Sequence, residues 1–293
     1  MKINSILEKE DSSFSFEFFP PKDSEAYDEF TNSFHFYSKF NPKFISITYG
    51  AGGSTRDKTF SLVKFIKENF NFPVMPHLTS ITHTKEEIKE IMNSYKNIGI
   101  ENILALRGDV PKWMENFDFS KVYFKDALTL VKYIKEEFDD TFCIAVSAYP
   151  EGYPLFKDLY KETDYLKEKL NYSDFAITQM FFDNRYFYEF VNICNKKGIT
   201  KPIIPGIMPI TNFTQISEFS KNVGATIPKD IESKFIPFLT KKEEMEKIGL
   251  EVALYQIQDL ISNGFKKIHL YTLNRKNIIE NIFSSIDKNF KAL

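Results

Sequence analysis

The chain has 293 residues, of which 43% are hydrophobic and 16% aromatic, and its formal net charge is −2. This composition predicts a folded globular protein with a substantial core, and the balanced charge gives no electrostatic reason to expect nucleic acid as a partner. It has no apolar run near the ~20 residues of a membrane span, no secretory signal and only two distant cysteines, Cys143 and Cys194, so we expect a reduced, cytoplasmic protein.

The first predicted strand, Phe14–Phe19, holds a single glutamate among phenylalanines. Because strand side chains alternate between two faces, Glu17 shares a face with Ser15, opposite to three of the aromatic rings. A buried carboxylate in such a place must find a partner, or its pKa rises and it stays protonated, as a general acid requires. An edge strand whose Glu17 faces water is the simpler alternative.

Strands and helices alternate along the rest of the chain. Short apolar runs predict seven more strands: Phe44–Tyr49, Val74–Thr79, Asn102–Leu106, Cys143–Tyr149, Phe175–Phe182, Ile203–Met208 and Lys267–Leu273. Lys- and Glu-rich stretches with helical spacing predict helices at Lys58–Phe70, Lys85–Asn97, Phe124–Phe138, Leu155–Leu170, Arg185–Lys196 and Lys242–Asn263. Pro209–Asp230 is predicted to form a long loop followed by a helix, and Ile227–Pro237 to be irregular.

About eight alternations of strand and helix are typical of an α/β protein with a (β/α)8 TIM barrel. An open, doubly wound sheet is the alternative, because sequence periodicity does not reveal whether a sheet closes. No linker or break in composition divides residues 1–293, which predicts a single domain. The absence of GxGxxG and GxxxxGK[ST] disfavours Rossmann and P-loop nucleotide binding, and without HExxH or a His/Asp cluster no metal site is predicted.

Polar residues end nearly every predicted strand. They are Glu17, Thr48–Gly50, His77–Thr79, Arg107–Asp109, Ser147–Glu151, Gln179, Pro205–Gly206 and Tyr271–Arg275. In a β/α barrel these ends meet at one mouth, where active sites lie. Taken singly, His77 is typical of a packed core histidine and Asp109 of a turn cap. Together, Glu17, Asp109, the histidine, the two arginines and the glutamine predict a shared site.

The same segments resemble the methylenetetrahydrofolate reductase family. The matching motifs occur in the family's order: Phe16–Lys22, Thr48–Ala51, Pro76–Thr79, Leu104–Asp109, Ala148–Glu151, Ile177–Gln179, Ile204–Ile207 and Tyr271–Arg275. The resemblance implies a barrel that carries FAD and reduces 5,10-methylenetetrahydrofolate to 5-methyltetrahydrofolate with NADH, by ping-pong hydride transfer through the flavin. It also implies the bacterial form of the enzyme, a role in methionine synthesis and a homo-oligomer.

The resemblance implies roles for individual residues. Glu17 matches the general acid that supplies a proton as the folate ring opens to an iminium cation, and Asp109 matches a carboxylate whose charge favours that cation. The positions implied to contact the cofactor are Thr48, Tyr49, Ala51, His77, Arg107, Gly108, Asp109, Tyr149, Tyr153 and Lys169. The positions implied to contact the folate are Asp109, Gln179, Gln215, Phe219, Tyr271 and Arg275. Of these, Arg275 suits the folate's carboxylates.

Three positions depart from the family's pattern. Tyr153 stands where bacterial relatives commonly have a histidine, and Glu162 and Tyr165 stand near positions that are usually Asp and Asn. We therefore expect altered contacts on the adenosine side of the FAD site. On the residues alone two other functions stay open: a flavin-free barrel lyase or aldolase that uses Glu17 and Asp109 as acid/base groups or metal ligands, and a non-enzymatic binding barrel.

Overall fold

The computed structural model describes residues 1–50, 56–110, 114, 117–118, 121–154 and 157–290, with the backbone alone at 287–290. These residues form nine strands, and every strand pair is parallel. The strands are β1 (Ser13–Phe18), β2 (Ile45–Ile47), β3 (Val74–Thr79), β4 (Asn102–Leu106), β5 (Cys143–Ala148), β6 (Phe175–Thr178), β7 (Ile203–Ile204), β8 (Gly206–Ile207) and β9 (Lys267–Tyr271).

The sheet closes through two very short strands. Its order is β7-β6-β5-β4-β3-β2-β1-β9-β8, so that β7 and β8 lie at the two ends of the order. Only Pro205 separates them in the chain, and it has no backbone N–H to donate to a ladder. Since β7 pairs with β6 and β8 pairs with β9, the two act as one interrupted barrel strand. The predicted (β/α)8 TIM barrel is therefore confirmed, and the open sheet is excluded.

Eleven helices in the described part of the chain surround the barrel. They are α1 (Ile3–Lys9), α2 (Ser24–Ser38), α3 (Arg56–Asn69), α4 (Lys85–Asn97), α5 (Ala127–Phe138), α6 (Leu159–Leu170), α7 (Asn184–Lys196), α8 (Phe213–Val223), α9 (Lys229–Phe235), α10 (Lys242–Ser262) and α11 (Lys276–Phe290). Polar caps begin several of them, as in α4, where Thr84 and Glu87 form a reciprocal capping box. None of these helices is long and apolar enough to cross a membrane.

The segment Ile227–Pro237, predicted to be irregular, instead contains α9 and the start of a 3-10 turn at Ile236–Phe238. The helix forms because Phe235 is buried and stacks on Phe213 of α8, with ring centroids 5.1 Å apart. Helix α9 has only seven residues, most of them polar, so its few apolar positions do not show a helical period in the sequence. Helix α1 was also not predicted from the sequence; its Ile3 and Leu7 are buried in a core cluster with barrel residues.

The two faces of β1 have different roles. Phe18 packs edge-to-face on Phe30 and Tyr37 of α2, and Phe16 packs on Phe283 of α11. These rings fill the space between the barrel and its helices, where apolar burial stabilises the fold most. The opposite face of β1, which carries Glu17, therefore points into the barrel.

Candidate active site

The carboxylate of Glu17 is buried inside the barrel near its C-terminal mouth, with only 6% of the residue exposed. Its Oε2 lies 3.2 Å from Nε2 of His77 on β3 and 3.5 Å from Nε2 of His269 on β9. Ser46 of β2 donates a hydrogen bond from Oγ to the same oxygen at 3.3 Å. Three neighbouring strands thus supply polar partners to one carboxylate, and the edge-strand alternative is wrong.

These partners decide the ionisation of Glu17. Burial acts to raise the pKa of this carboxyl, but charge interactions and polar contacts with His77 and His269 outweigh it and lower the pKa to about 2. The sequence left two possibilities for a buried Glu17: a paired carboxylate, or an unpaired carboxyl that stays protonated. The structure shows the paired carboxylate. In this structure Glu17 is therefore an ionised, paired group.

A chain of buried polar groups continues from Glu17 toward the bottom of the barrel. Ser46 Oγ lies 3.3 Å from Nε2 of His269, and Ser15 Oγ lies 2.8 Å from Nδ1 of the same ring. If the Ser15 hydroxyl donates to Nδ1, the Nε2–H of His269 and the hydroxyl of Ser46 can both point toward the carboxylate. Ser15, Ser46 and His269 were not among the site residues predicted from the sequence, although His269 occupies the same face of β9 as Tyr271, two residues away.

Two buried polar atoms on β3 are left without hydrogen bonds to the residues that the structure describes. They are Nε2 of His77, whose contact with Glu17 lacks hydrogen-bond geometry, and Oγ1 of Thr79 at the end of β3. Gly108 packs directly on this threonine: it has φ +80°, and an added Cβ would lie 2.6 Å from Cβ of Thr79. Since buried polar groups are normally paired, the end of β3 has capacity for a polar ligand.

The rim beside this position carries charged and aromatic groups. The guanidinium of Arg107 lies 5.9 Å from the ring centroid of Tyr153, and this ring contacts Tyr149 edge-to-face at 4.9 Å. Arg107 also donates from Nε to the carbonyl of Gly108 at 3.0 Å, and its Nη2 lies 4.0 Å from Oδ1 of Asp109. The Asp109 side chain is 93% exposed, so its charge faces the solvent at the mouth.

The end of β2 adds two further predicted cofactor positions. Tyr49 is buried, its hydroxyl lies 3.3 Å from Nε2 of His83, and burial raises its pKa to about 12. Thr48 is half-buried, and its carbonyl accepts a hydrogen bond from Oγ1 of Thr59 at 3.1 Å. The third predicted position, Ala51, lies outside the described residues.

Lys169 lies below the rim rather than on it. The residue is 1% exposed, and Nζ donates to the carbonyl of Ser147 at 2.6 Å and lies 4.7 Å from the ring centroid of Tyr165. Burial lowers the pKa of Lys169, against the charge of Glu162. Burial also raises the pKa of Glu162 to about 7, although Lys169 and the N–H of Tyr149 oppose this shift, and its Oε2 finds no partner in the described ranges.

Four of the predicted folate positions fall on or next to three elements, β9, β6 and α8. Tyr271 is buried and donates from its hydroxyl to the carbonyl of Thr178 at 2.6 Å, while Gln179 is half-buried at the end of β6. Gln215 and Phe219 are both exposed, one turn apart on α8. The structure brings Tyr271 close to Glu17, which acts with burial to raise the pKa of the tyrosine. No hydrogen bond or ring contact in the described chain joins Gln215 or Phe219 to this group.

Arg275 follows a strained turn after β9. Leu273 and Asn274 have φ of +51° and +55°, a left-handed conformation that is unfavourable for both and most costly for leucine. The turn is held by the Asn274 amide, which donates to the carbonyl of Phe19 at 2.8 Å and accepts from its N–H at 3.0 Å. The Arg275 guanidinium then pairs with Glu246 of α10 at 2.9 Å.

The fold and this gathering of titratable groups define a β/α-barrel enzyme with its site at the C-terminal ends of the strands. In the described ranges no three His, Cys, Asp or Glu side chains are arranged to hold a metal. The family model of methylenetetrahydrofolate reductase matches residues 2–287. The chain belongs to this family and is accordingly an oxidoreductase.

Individual relatives agree. The chain is 38% identical over 262 residues to the 5,10-methylenetetrahydrofolate reductase of Escherichia coli (strain K12), covering 89% of this chain and 86% of that protein. It is 33% identical over 283 residues to methylenetetrahydrofolate reductase (NADH) 1 of Arabidopsis thaliana, covering 93% of this chain and 48% of the plant protein. A solved structure from Clostridium thermocellum, described as binding two copies of 5-methyl-5,6,7,8-tetrahydrofolic acid, has the same fold, with a TM-score of 0.70 and 16% identity over both full chains.

Proposed function

We propose that this protein is an FAD-dependent reductase that uses NADH to convert 5,10-methylenetetrahydrofolate to 5-methyltetrahydrofolate, and so supplies methyl groups for methionine synthesis. The observation that carries the proposal is the buried Glu17 carboxylate beside His77 and His269, in a barrel of this family. The name of the plant relative supports NADH as the donor, and the folate bound by the Clostridium protein supports a folate substrate.

The donor groups at the mouth fit a flavin cofactor. Oγ1 of Thr79 and Nε2 of His77, which have no hydrogen-bond partner in the described residues, suit the ring nitrogens and carbonyl oxygens of an isoalloxazine. The Arg107 guanidinium suits an anionic or carbonyl oxygen. We assign the ring to Thr48, Tyr49, Ala51, His77, Arg107, Gly108, Asp109 and Tyr149, and the adenosine side to Tyr153. The family match assigns the phosphates to Lys169, but its Nζ is buried in this structure and donates to the carbonyl of Ser147, so a phosphate would have to replace that contact. When bound, FAD would supply the hydride-transfer chemistry between nicotinamide and folate.

Glu17 supplies the proton in this proposal. Its carboxyl is ionised only because two histidines oppose a burial effect that would otherwise raise its pKa. When Nε2 of His77 turns toward a ligand, its contact with Glu17 weakens, burial dominates, and the carboxyl takes up a proton. Glu17 is then the buried neutral acid that protonates the leaving nitrogen of the folate ring, a role that typically contributes ~10²–10⁴-fold to the rate.

The remaining charged groups have complementary roles. Asp109 places an exposed negative charge at the rim, where it would stabilise the iminium cation formed when the folate ring opens. Arg275 presents a partly exposed guanidinium after β9 for the folate's carboxylates. Gln179, Gln215, Phe219 and Tyr271 would complete the folate site.

The test is spectroscopic. The purified protein should be yellow, NADH should bleach its flavin absorbance without oxygen, and 5,10-methylenetetrahydrofolate should restore it with formation of 5-methyltetrahydrofolate. Repeating the reduction with NADPH tests the choice of nicotinamide. A colourless protein that FAD cannot reconstitute would contradict the proposal and favour a flavin-free lyase.

A further inference from the structure

The predicted folate-carboxylate ligand, Arg275, already has an anionic partner within the chain. Its Nη1 lies 2.9 Å from Oε1 of Glu246, on the second turn of α10. The other carboxylate oxygen of Glu246 accepts a hydrogen bond from Nδ2 of Asn277 at 3.1 Å. Both oxygens of Glu246 are therefore engaged, and its side chain is only 16% exposed.

The guanidinium of Arg275 is bound by Glu246 at one edge, and its other edge is available to a ligand. Its backbone is fixed because the N–H of Arg275 donates to the carbonyl of Thr272 at 2.9 Å, directly after the left-handed turn at Asn274. Among the described residues, the guanidinium of Arg275 hydrogen-bonds only to Glu246, and only through Nη1. In addition, 36% of the arginine side chain is exposed. The planar guanidinium has five N–H donors, so a second carboxylate can bind its free edge.

We propose that Glu246 limits the affinity of this site for the glutamate tail of the folate, by neutralising Arg275 before the tail arrives. The inference rests on the proposed function. A tail carboxylate at the free edge of Arg275 would be attracted by the guanidinium and repelled by Glu246 behind it. Glu246 fixes the orientation of the Arg275 guanidinium, but its negative charge partly cancels the attraction of the guanidinium for the tail. Orientation is therefore gained at the expense of affinity for the folate.

The substitution Glu246→Gln separates these two effects. The glutamine keeps an oxygen for Nη1 of Arg275 and loses the negative charge. We expect the KM for 5,10-methylenetetrahydrofolate to fall by about two- to fivefold, the size of effect typical for one charge of a partly exposed pair. The change should appear in KM because Arg275 contacts the tail rather than the reacting atoms, and it should shrink at high salt.

Two controls make the result specific. Glu243→Gln removes the same charge from an exposed position one turn earlier on α10, and its KM should match that of the unsubstituted protein. The second control is the substrate: 5,10-methylenetetrahydropteroate has no glutamate tail, so Glu246→Gln should not change its KM. Thermal melting of each variant reports whether the fold is retained.

A lower KM for the glutamylated folate alone, seen with Glu246→Gln and not with Glu243→Gln, supports the inference. An unchanged or higher KM would overturn it, since Glu246 would then only orient Arg275. An equal fall for the tail-free substrate would also overturn it. If the unsubstituted protein reduces no folate, the proposed function itself fails, whereas failure of this inference leaves folate turnover intact.

Discussion

The imidazole of His269 and the carboxylate of Glu17 lie 3.5 Å apart on the adjacent strands β9 and β1, at a depth where His269 is fully buried and Glu17 nearly so. Because water reaches neither group freely, the interaction between the imidazole and the carboxylate is strong. Glu17 is thus an acid whose pKa depends on contacts that a ligand can change, rather than on burial alone.

Glu17→Gln should separate the two halves of the proposed reaction. Oxidation of the nicotinamide needs no proton donor, so NADH should bleach the flavin at nearly the unsubstituted rate. Opening of the folate ring needs the proton, and reoxidation by 5,10-methylenetetrahydrofolate should slow by about 10²–10⁴-fold. Stopped-flow absorbance measures both rates. Normal reoxidation would exclude Glu17 as the acid, and loss of flavin binding would indicate a structural role.

His269→Gln should weaken the ionised state of Glu17 and raise its pKa, since one of the two opposing histidines is gone. In the unsubstituted protein the pKa is lowered from 4.5 to about 2, so ionised Glu17 stabilises the fold above pH 4.5, and this contribution is lost as the pH falls toward 2. His77 makes the larger charge interaction with Glu17 and remains in the variant, so we expect the variant to be less stable at pH 7 by about 1–2 kcal/mol. The difference should shrink below pH 4.5.

Urea unfolding at several pH values measures that difference. The control is His35→Gln, because His35 is exposed on α2. A stability difference that stays constant between pH 7 and pH 3 would mean that His269 contributes packing only.

The barrel and the position of its mouth could be predicted because alternating apolar runs and polar strand ends are local patterns. Glu17 stood out for the same reason, as one charge in an aromatic strand. By contrast, the roles of Ser15, Ser46 and His269 depend on the register between strands, which places Ser15 opposite His269 and Glu17 opposite Ser46. Sequence alone does not fix that register.

The partner of Arg275 could not be predicted for a similar reason. Glu246 is 29 positions earlier in the chain, on a helix whose polar face carries several other glutamates. Only the packing of α10 beside the end of β9 selects this one. The likeness of the motifs to the family pointed to Arg275, but Glu246 lies outside those motifs, so they did not indicate it as a partner.

Asp109→Asn should affect chemistry and leave stability nearly unchanged. The side chain is 93% exposed, so its removal should alter the free energy of unfolding by no more than about 0.5 kcal/mol. Loss of the negative charge should make the flavin easier to reduce and should slow the folate half-reaction, because the cation loses its counter-charge. The reduction potential and the reoxidation rate measure the two effects, with Asp28→Asn on α2 as an exposed control. If neither changes, Asp109 is a turn residue.

The substitutions Asn274→Gly and Asn274→Ala should distinguish hydrogen bonding from backbone strain in the turn that carries Arg275. Glycine adopts the left-handed conformation freely but loses both bonds to Phe19, which should cost about 1–3 kcal/mol of unfolding free energy. Alanine loses the same bonds and also has a Cβ at φ +55°, which should add about 1 kcal/mol.

Both variants should also raise the KM for the folate, since the bonds to Phe19 fix the turn from which Arg275 projects, and alanine should raise it more. Urea unfolding and steady-state kinetics at pH 7 give the two quantities, and reduction of the flavin by NADH serves as the internal control, because it does not use Arg275. Equal stabilities for the two variants would show that the left-handed turn stores no strain. A normal KM in both would show that Glu246, rather than the bonds between Asn274 and Phe19, fixes the guanidinium.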